Sequence, residues 1–226
     1  MDVYSYVAGM RRILHEMEIL IETELSDAQN RALLLLYQAR MTYLGRNTKT
    51  ACVLLLDGIR LLPEITVQNA ALAANLHATL GDLEREKRDF PSAKQHMETA
   101  ASIYHRFGLD RTHDCVVLEI NYATLLRETG LPYAGLQYLL KIEQALAQQN
   151  LYEVDYASVE ENLIYTYLSL NNPSAARHHY EKLLQLYEVF YENEPVALEE
   201  KKEELKKAFQ QYLLLTGQTP SSTSSH

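Results

Sequence analysis

Two stretches of this 226-residue chain decide its fold: NYATLLRETGLPYAGLQYLLKIEQAL (121–146) and NLIYTYLSLNNPSAARHHYEKLLQLYE (162–188). Each contains two runs in which apolar residues recur at spacings of three and four, and a short turn with Pro132 or Pro173 separates the runs. This spacing places apolar side chains on one face of an α-helix, whereas proline is tolerated only at the start of a helix. Each stretch therefore predicts two helices joined by a tight turn and packed as antiparallel neighbours.

Small residues recur along the chain at two positions of such a helix pair. Near the start of the second helix they are Ala51, Ala93, Gly135 and Ala176. Twelve residues earlier, in the first helix, the corresponding residues are Ala39, Gly81, Ala123 and Ile164, of which the first three are small. The successive spacings are 42, 42 and 41 residues. Because two helices approach closely only where neither carries a bulky side chain, these positions predict the contact within each pair.

The apolar periodicity of the whole chain predicts ten helices and no strand. Their expected ranges are about 3–24, 27–44, 48–62, 66–88, 91–107, 112–129, 132–149, 155–170, 174–192 and 196–215. The expected N-caps are Ser26, Asp110, Asp155 and Ser174. Residues 218–226 are small and polar, with nothing to bury, and are expected to form a disordered tail.

Helix pairs of about 42 residues with small, large apolar and small residues at these offsets resemble the tetratricopeptide repeat (TPR), in its long form known from kinesin light chains and bacterial regulators. The resemblance implies an all-α fold, a right-handed α-solenoid of antiparallel helix pairs that forms a TPR-like superhelix. It implies one repeat domain over residues 1–217, in which Gly9 takes the small position of a degenerate leading unit. The expected repeats are about 28–65, 66–110, 111–152 and 153–193, with capping helices 3–24 and 196–215. A non-repetitive helix bundle stays open as the alternative, since Glu84 stands where the repeat expects an aromatic residue.

Charge and composition exclude several classes of protein. The chain has 30 acidic and 21 basic side chains, which give a net charge of −9 at pH 7, and such a field repels nucleic-acid phosphates. Its two cysteines do not make a disulfide framework. Its N-terminal stretch has neither a signal-peptide core nor a membrane span. We therefore expect a cytoplasmic protein with no nucleic-acid partner and no membrane association.

Catalytic and metal-binding motifs are missing from the sequence, which has no GxGxxG, phosphate loop, HExxH, GxSxG or CxxC. His178 and His179 precede Glu181, but adjacent side chains on a helix point about 100° apart and cannot share a metal ion. Glu160 and Glu161 are expected on solvated helix faces. The sequence thus predicts no enzymatic activity, no cofactor and no metal site.

The TPR resemblance implies a concave groove lined by the first helix of each pair. Its expected lining, in three rows of successive units, is Tyr37, Thr79, Asn121 and Asn162, then Arg40, Asp82, Thr124 and Tyr165, then Tyr43, Arg85, Arg127 and Leu168. In the resembling family, asparagines at this place hold the backbone of a bound peptide. The expected partner-binding residues are therefore Asn121, Asn162, Arg85, Arg127, Arg40, Tyr37 and Tyr165.

Two functions are compatible with such a groove. The first is a non-catalytic scaffold that binds an extended peptide or partner segment, and the second is a peptide- or effector-sensing regulatory domain that controls a separate output protein. A scaffold that only assembles, as a homo-oligomer for example, also stays open. Arg85 and Arg127 would select a carboxylate or an acidic segment, unless they pair with Glu86 and Glu128 or with glutamates of the neighbouring unit instead.

The expected capping helix 196–215 generates a prediction about truncation. One side of this helix carries EEKKEELKK (199–207) and the other is apolar, so it covers the surface that a repeat array exposes where stacking stops. Deleting residues 196–226 should cause aggregation, whereas deleting only 218–226 should leave solubility unchanged. Light scattering of the two truncated chains checks this, and equal solubility of both would contradict the capping role.

Overall fold

A computed structural model describes residues 3–23, 27–149 and 153–215, and every regular element within them is an α-helix. The helices are α1 (Val3–Thr23), α2 (Ala28–Leu44), α3 (Thr48–Arg60), α4 (Ala70–Glu86), α5 (Phe90–Arg106), α6 (His113–Glu128), α7 (Pro132–Gln149), α8 (Glu153–Ser169), α9 (Pro173–Phe190) and α10 (Pro195–Leu215). The prediction of an all-α chain with ten helices is confirmed over these residues. The predicted tail, 218–226, lies outside the described residues.

The chain divides into two compact units, Met1–Leu118 and Glu119–His226, and the boundary falls within α6. In the first unit α2 packs against α3 and α4 against α5, while in the second unit α8 packs against α9. Linkers of a few residues join these helices, so the members of a pair run antiparallel. Helix pairs are therefore the packing element of each unit.

The two helices of a pair approach closely at the small residues that the sequence singled out. A Cβ atom on Gly81 would lie 3.0 Å from the carbonyl oxygen of Ala93, and one on Gly135 would lie 2.7 Å from that of Ala123. Ala93 and Ala123 are fully buried. The predicted contact is confirmed in these pairs, but Gly9 does not mark such a contact, because a Cβ there would meet no atom within 4 Å.

A left-handed residue ends the first helix of every pair and repeats with the same period. These residues are Arg46, Arg88, Gly130 and Asn171, with φ angles of 61°, 62°, 84° and 57°. In three of the four turns the next residue is an Asn or Asp whose side chain caps the second helix; Asn172, for example, accepts from the N–H of Ala175. The left-handed residue reverses the chain and the polar cap restarts it as a helix, so the turn sets the geometry of the pair.

The observed caps correct the predicted ones. Asn172 caps α9 in place of Ser174, and Asp155 is buried inside α8 rather than at its start. Helix α6 begins at His113, where Thr112 rather than Asp110 takes the capping position, since the N–H of Cys115 donates to its hydroxyl. Asp27 caps α2; the predicted cap one residue earlier lies outside the described residues.

Helix α4 begins four residues later than the predicted 66–88. The side chain of Asn69 accepts from the N–H of Thr66 and donates to the carbonyl oxygen of Glu64. These two bonds satisfy backbone groups of the preceding segment as a turn, so that segment does not continue the helix.

The last helix of the second unit covers an apolar surface. Leu205, Phe209 and Leu213 of α10 are buried and form one cluster with residues of α8 and α9. The α8 and α9 members of that cluster are Ile164, Leu168, Ala176 and Leu183. The charged side of α10 carries ion pairs such as Lys202 with Glu188.

The contact between Gly135 and Ala123 generates a prediction with a matched control. The Gly135→Ala variant places a Cβ against a backbone oxygen that cannot move independently, so we expect it to lose about 1–3 kcal/mol of folding free energy. The Gly9→Ala variant makes the same change in a helix with open space around it, and should gain about 0.5–1 kcal/mol from reduced backbone freedom. Urea unfolding of both variants checks the sign of each change. Equal stability of the two would contradict close packing in the third pair.

Candidate functional site

The second unit brings four of the predicted partner-binding residues together on α6 and α8. Asn121 and Arg127 lie on α6, with Thr124 between them at three-residue spacing, and Asn162 and Tyr165 lie on α8. We call these five residues the first-helix face. All five are partly buried, which is the exposure typical of residues that line a groove.

A hydrogen bond joins the two helices of this face. The Thr124 hydroxyl donates to Oδ1 of Asn162 at 2.7 Å, and Nδ2 of Asn162 donates to the carbonyl oxygen of Ser158 at 2.9 Å. An amide side chain has two N–H donors and two acceptor positions. Asn162 therefore keeps one donor and one acceptor position for a ligand.

Arg127 and Tyr165 stack at one end of the face. The guanidinium carbon of Arg127 lies 5.7 Å from the centre of the Tyr165 ring, within the range of a cation–π contact. Burial raises the pKa of the Tyr165 hydroxyl, and the charge of Arg127 partly offsets this. The pair presents a planar surface with a charged rim.

Asn121 differs from Asn162 because its amide is not engaged. Among the described residues it has no hydrogen-bond partner, although its side chain is partly buried. It lies one helical turn before Thr124, whose hydroxyl contacts Asn162. Asn121 thus has donors and acceptors to offer beside Asn162.

The other predicted residues lie in the first unit. The Arg40 guanidinium is 6.0 Å from the centre of the Tyr37 ring. Arg85 forms an ion pair with Asp82, 2.9 Å long and largely buried. Glu86 accepts a hydrogen bond from Tyr43, which raises the pKa of that hydroxyl to about 12.

Sequence reasoning missed a polar chain in the first unit. The hydroxyl of the buried Tyr104 donates to Oδ1 of Asn75 at 2.9 Å, and Nδ2 of Asn75 donates to Asp114 at 2.8 Å. These bonds link α4, α5 and the first turn of α6. No signal in the sequence marks them, because the three residues are 10 to 39 positions apart.

A buried charge network overturns the expectation that Glu160 is solvated. Glu160 is 0% exposed, and its Oε2 accepts from Nδ1 of the buried His179 at 2.6 Å. The Lys182 ammonium lies 2.6 Å from Glu143 Oε1 and 3.5 Å from Glu160 Oε1. Burial raises the pKa of Glu160, but the hydrogen bond from His179 and the charges of His179 and Lys182 outweigh it and hold that pKa below its ordinary 4.5.

The same network contains the side chains best placed to hold a metal. Glu143, Glu160 and His179 offer ligand atoms that all lie within 4.8 Å of one another. His178, the other histidine weighed as a metal ligand with Glu181, is exposed and belongs to no cluster of possible metal ligands among the described residues. Because the Lys182 ammonium contacts both carboxylates, it already supplies the positive charge that a metal would bring. The arrangement is that of a structural ion network.

The second helix pair carries a related contact at the same two positions. His77 and His96 are 19 residues apart, as Glu160 and His179 are, and their Nδ1 atoms lie 2.8 Å apart. Burial and the charge of His96 lower the pKa of His77 to about 4, and burial lowers the pKa of His96. Both rings are therefore neutral at pH 7, and one donates to the other.

Comparison with known proteins establishes the fold. The crystal structure of BtubC (BKLC) from P. vanneervenii matches 100% of this chain and 97% of its own, with a TM-score of 0.65 and 15% sequence identity. A Podosopora anserina protein described as a kinesin light chain with nearly identical TPR-like repeats covers 85% of this chain and 99% of its own, with a TM-score of 0.64 and 12% identity. The chain has a TPR-like repeat fold. No protein-family model and no curated protein sequence matches it.

The fold prediction is therefore confirmed, and the helical pairs belong to an α-solenoid of the TPR-like type. At these identities the likeness concerns the fold and does not extend to a ligand or an activity. Among the described residues, no helix is both long and apolar enough to cross a membrane.

The Lys182 contacts generate a prediction about stability. The Lys182→Met variant removes the ammonium that lies beside the buried Glu160, so we expect a loss of about 1–3 kcal/mol at pH 7. Lys141→Met removes an exposed lysine of α7 and serves as the control, with an expected change within about 0.5 kcal/mol. Urea unfolding of both variants measures the difference.

The pH dependence gives a second readout of the same network. Because the folded-state pKa of Glu160 lies below its ordinary 4.5, its contribution to stability is present above pH 4.5 and is lost as the pH falls through the folded-state pKa. The stability difference between the parent and Lys182→Met should therefore shrink below pH 4.5. A difference that stays constant down to pH 3 would contradict the assignment.

Proposed function

We propose that this chain is a non-catalytic scaffold that binds an extended segment of a partner protein along the first-helix face of its second unit. Asn121 and Asn162 hold the main chain of that segment, and Arg127 and Tyr165 contact its side chains. The TPR-like fold supports the proposal, because stacked helix pairs expose one helix of each pair along a continuous surface. Partners of such surfaces are commonly extended or helical segments.

The observation that carries the proposal is the unengaged amide of Asn121. A partly buried amide with no bond to the described residues has its donor and acceptor positions available to a partner's backbone. Asn162 is within reach of the same segment, because its bond to Thr124 brings it beside the α6 residues of the face. Two amides on adjacent helices match the alternating N–H and C=O groups of an extended chain.

The first-unit residues Tyr37, Arg40 and Arg85 have a secondary role in the proposal. Arg85 is already paired with Asp82 and largely buried, so it is a weaker selector of acidic segments than the sequence implied. Arg40 beside Tyr37 offers a planar surface of the same kind as Arg127 beside Tyr165.

A binding measurement with a selected peptide tests the proposal. A displayed random-peptide library is selected against the full chain, and the dissociation constant of the best synthetic peptide is measured by calorimetry. In the Asn121→Ala/Asn162→Ala variant we expect affinity to fall about tenfold or more, because two or more hydrogen bonds to the peptide are lost. The unfolding free energy should change by no more than about 1 kcal/mol, since both side chains lie outside the core.

The matched control removes an amide from a second helix. Gln144→Ala truncates an exposed amide side chain of α7 and should leave the dissociation constant unchanged. Retained affinity in the folded Asn121→Ala/Asn162→Ala variant would move the binding surface away from the first-helix face. A parallel measurement of molar mass in solution separates peptide binding from self-association.

A further inference from the structure

A cavity of about 210 Å³ lies in the second unit between α8, α9 and α10. Its walls contain Glu161 and Tyr165 of α8, Tyr187 of α9, and Lys201 and Glu204 of α10. Leu205 and Ala208 complete the lining. Because Tyr165 also belongs to the first-helix face, the cavity adjoins the proposed binding surface.

Glu161 is the unusual group in this cavity. It is partly buried, yet its carboxylate accepts no hydrogen bond and forms no ion pair with any residue that the structure describes. Burial raises its pKa, and the charge of Lys201 offsets this only in part. This carboxylate is thus partly shielded from water without a hydrogen bond from the described residues to compensate, which leaves it able to pair with an external cation.

Lys201 does not provide the missing partner. Its ammonium lies 2.7 Å from Glu204, and both side chains are well exposed at the mouth of the cavity. The two carboxylates and the one ammonium leave the cavity with one uncompensated negative charge. The rings of Tyr165 and Tyr187 add electron-rich surfaces, which attract cations.

We infer that this cavity binds the positively charged side chain of an arginine or lysine in the partner segment. The cation would pair with Glu161 and pack between the two tyrosine rings. The inference deepens the proposed function, and it rests on that function for the source of the side chain. The partner segment would then carry a basic residue next to the stretch of main chain that Asn162 holds.

The size and charge of the cavity favour a basic side chain over a whole metabolite, an acidic side chain or a metal ion. Pockets for drug-sized molecules have volumes of about 300–1,000 Å³, so the cavity suits a single side chain better than a whole metabolite. An acidic side chain would meet the charge of Glu161 and a lysine already neutralised by Glu204. A metal ion would find only one carboxylate that is not already paired.

The experiment uses short peptides and two substitutions with opposite expected effects. The probe is acetyl-Gly-Arg-Gly-amide, titrated into the full chain while the methyl signals of Leu205 and Ala208 are followed by NMR. The comparison peptides carry citrulline, which has the shape of arginine without its charge, or glutamate. We expect saturable shifts with the arginine peptide and none with the other two.

Glu161→Gln should weaken binding of the arginine peptide about tenfold or more, because a charge-assisted pair is lost. Lys201→Met should strengthen it, since a like charge is removed from the mouth of the cavity. Glu181→Gln, an exposed carboxylate of α9, is the control and should change nothing. If glutamate binds better, or if the two substitutions have the reverse signs, the cavity is an anion site and the inference is overturned.

Two further binding measurements distinguish failure of the cavity assignment from failure of the proposed function. Methylguanidinium tests a free cation, and binding as tight as that of the peptide would overturn the assignment to a partner side chain. The Asn121→Ala/Asn162→Ala variant should bind the arginine peptide as the parent does, because neither asparagine lines the cavity. Loss of the selected peptide but not of the arginine peptide supports both proposals. If the variant binds both peptides as the parent does, the proposed function is contradicted and the cavity assignment stands, whereas loss of the arginine peptide in this variant overturns the cavity assignment.

The folded state of Glu161→Gln has its own check. Since the Glu161 carboxylate is not compensated, its replacement by a neutral amide should leave the melting temperature equal or higher. Lost binding together with a raised melting temperature excludes misfolding as the cause. A lowered melting temperature would show that Glu161 has a stabilising partner and would overturn the inference.

Discussion

The backbones of two helices approach within each pair, and the other features of the units depend on this contact. At Gly135 there is no room for a Cβ beside the Ala123 carbonyl oxygen, so the two helices meet through their main chains. The contact requires a reversal of fixed geometry before the second helix, which the left-handed residues supply. Because the second helix then covers one side of the first, the opposite side of the first helix is left for polar residues. The candidate site is a product of this arrangement.

Part of that polar surface holds neighbouring first helices together. Thr124 bonds to Asn162 between α6 and α8, and Tyr43 bonds to Glu86 between α2 and α4. A polar residue on such a face therefore has two competing uses, contact with the next repeat and contact with a ligand. Asn162 serves the first with part of its amide, whereas Asn121 serves neither within the described residues. The distinction depends on which neighbour lies within 3 Å, and a sequence pattern does not contain that information.

The features that could be predicted are those that depend on neighbours close in sequence or on the repeat period. The ten helices follow from apolar spacing, and the small contacts at Gly81 and Gly135 follow from the period of about 42 residues. The capping prediction at Ser174 was wrong because Asn171 takes a left-handed conformation and makes Asn172 the first residue able to cap. The solvated placement of Glu160 was wrong because residues 17 to 22 positions away on α7 and α9 surround it. Helical periodicity identifies the apolar face of a helix, but it does not show which neighbouring helices bury a charged residue on another face.

Glu160 and Glu161 are adjacent in sequence, but their carboxylates differ in burial and in pairing. The first is completely buried, and its charge is compensated by His179 and Lys182. The second is less buried and has no such partner, although α10 places a lysine at the same cavity. Folding stability accounts for the first arrangement, because removal of either partner would leave a buried charge. The second carboxylate has no such stabilising pair among the described residues. A carboxylate kept without a partner beside a cavity is suited to a cation that arrives from outside the chain, and the paired Lys201 at the mouth leaves that charge available.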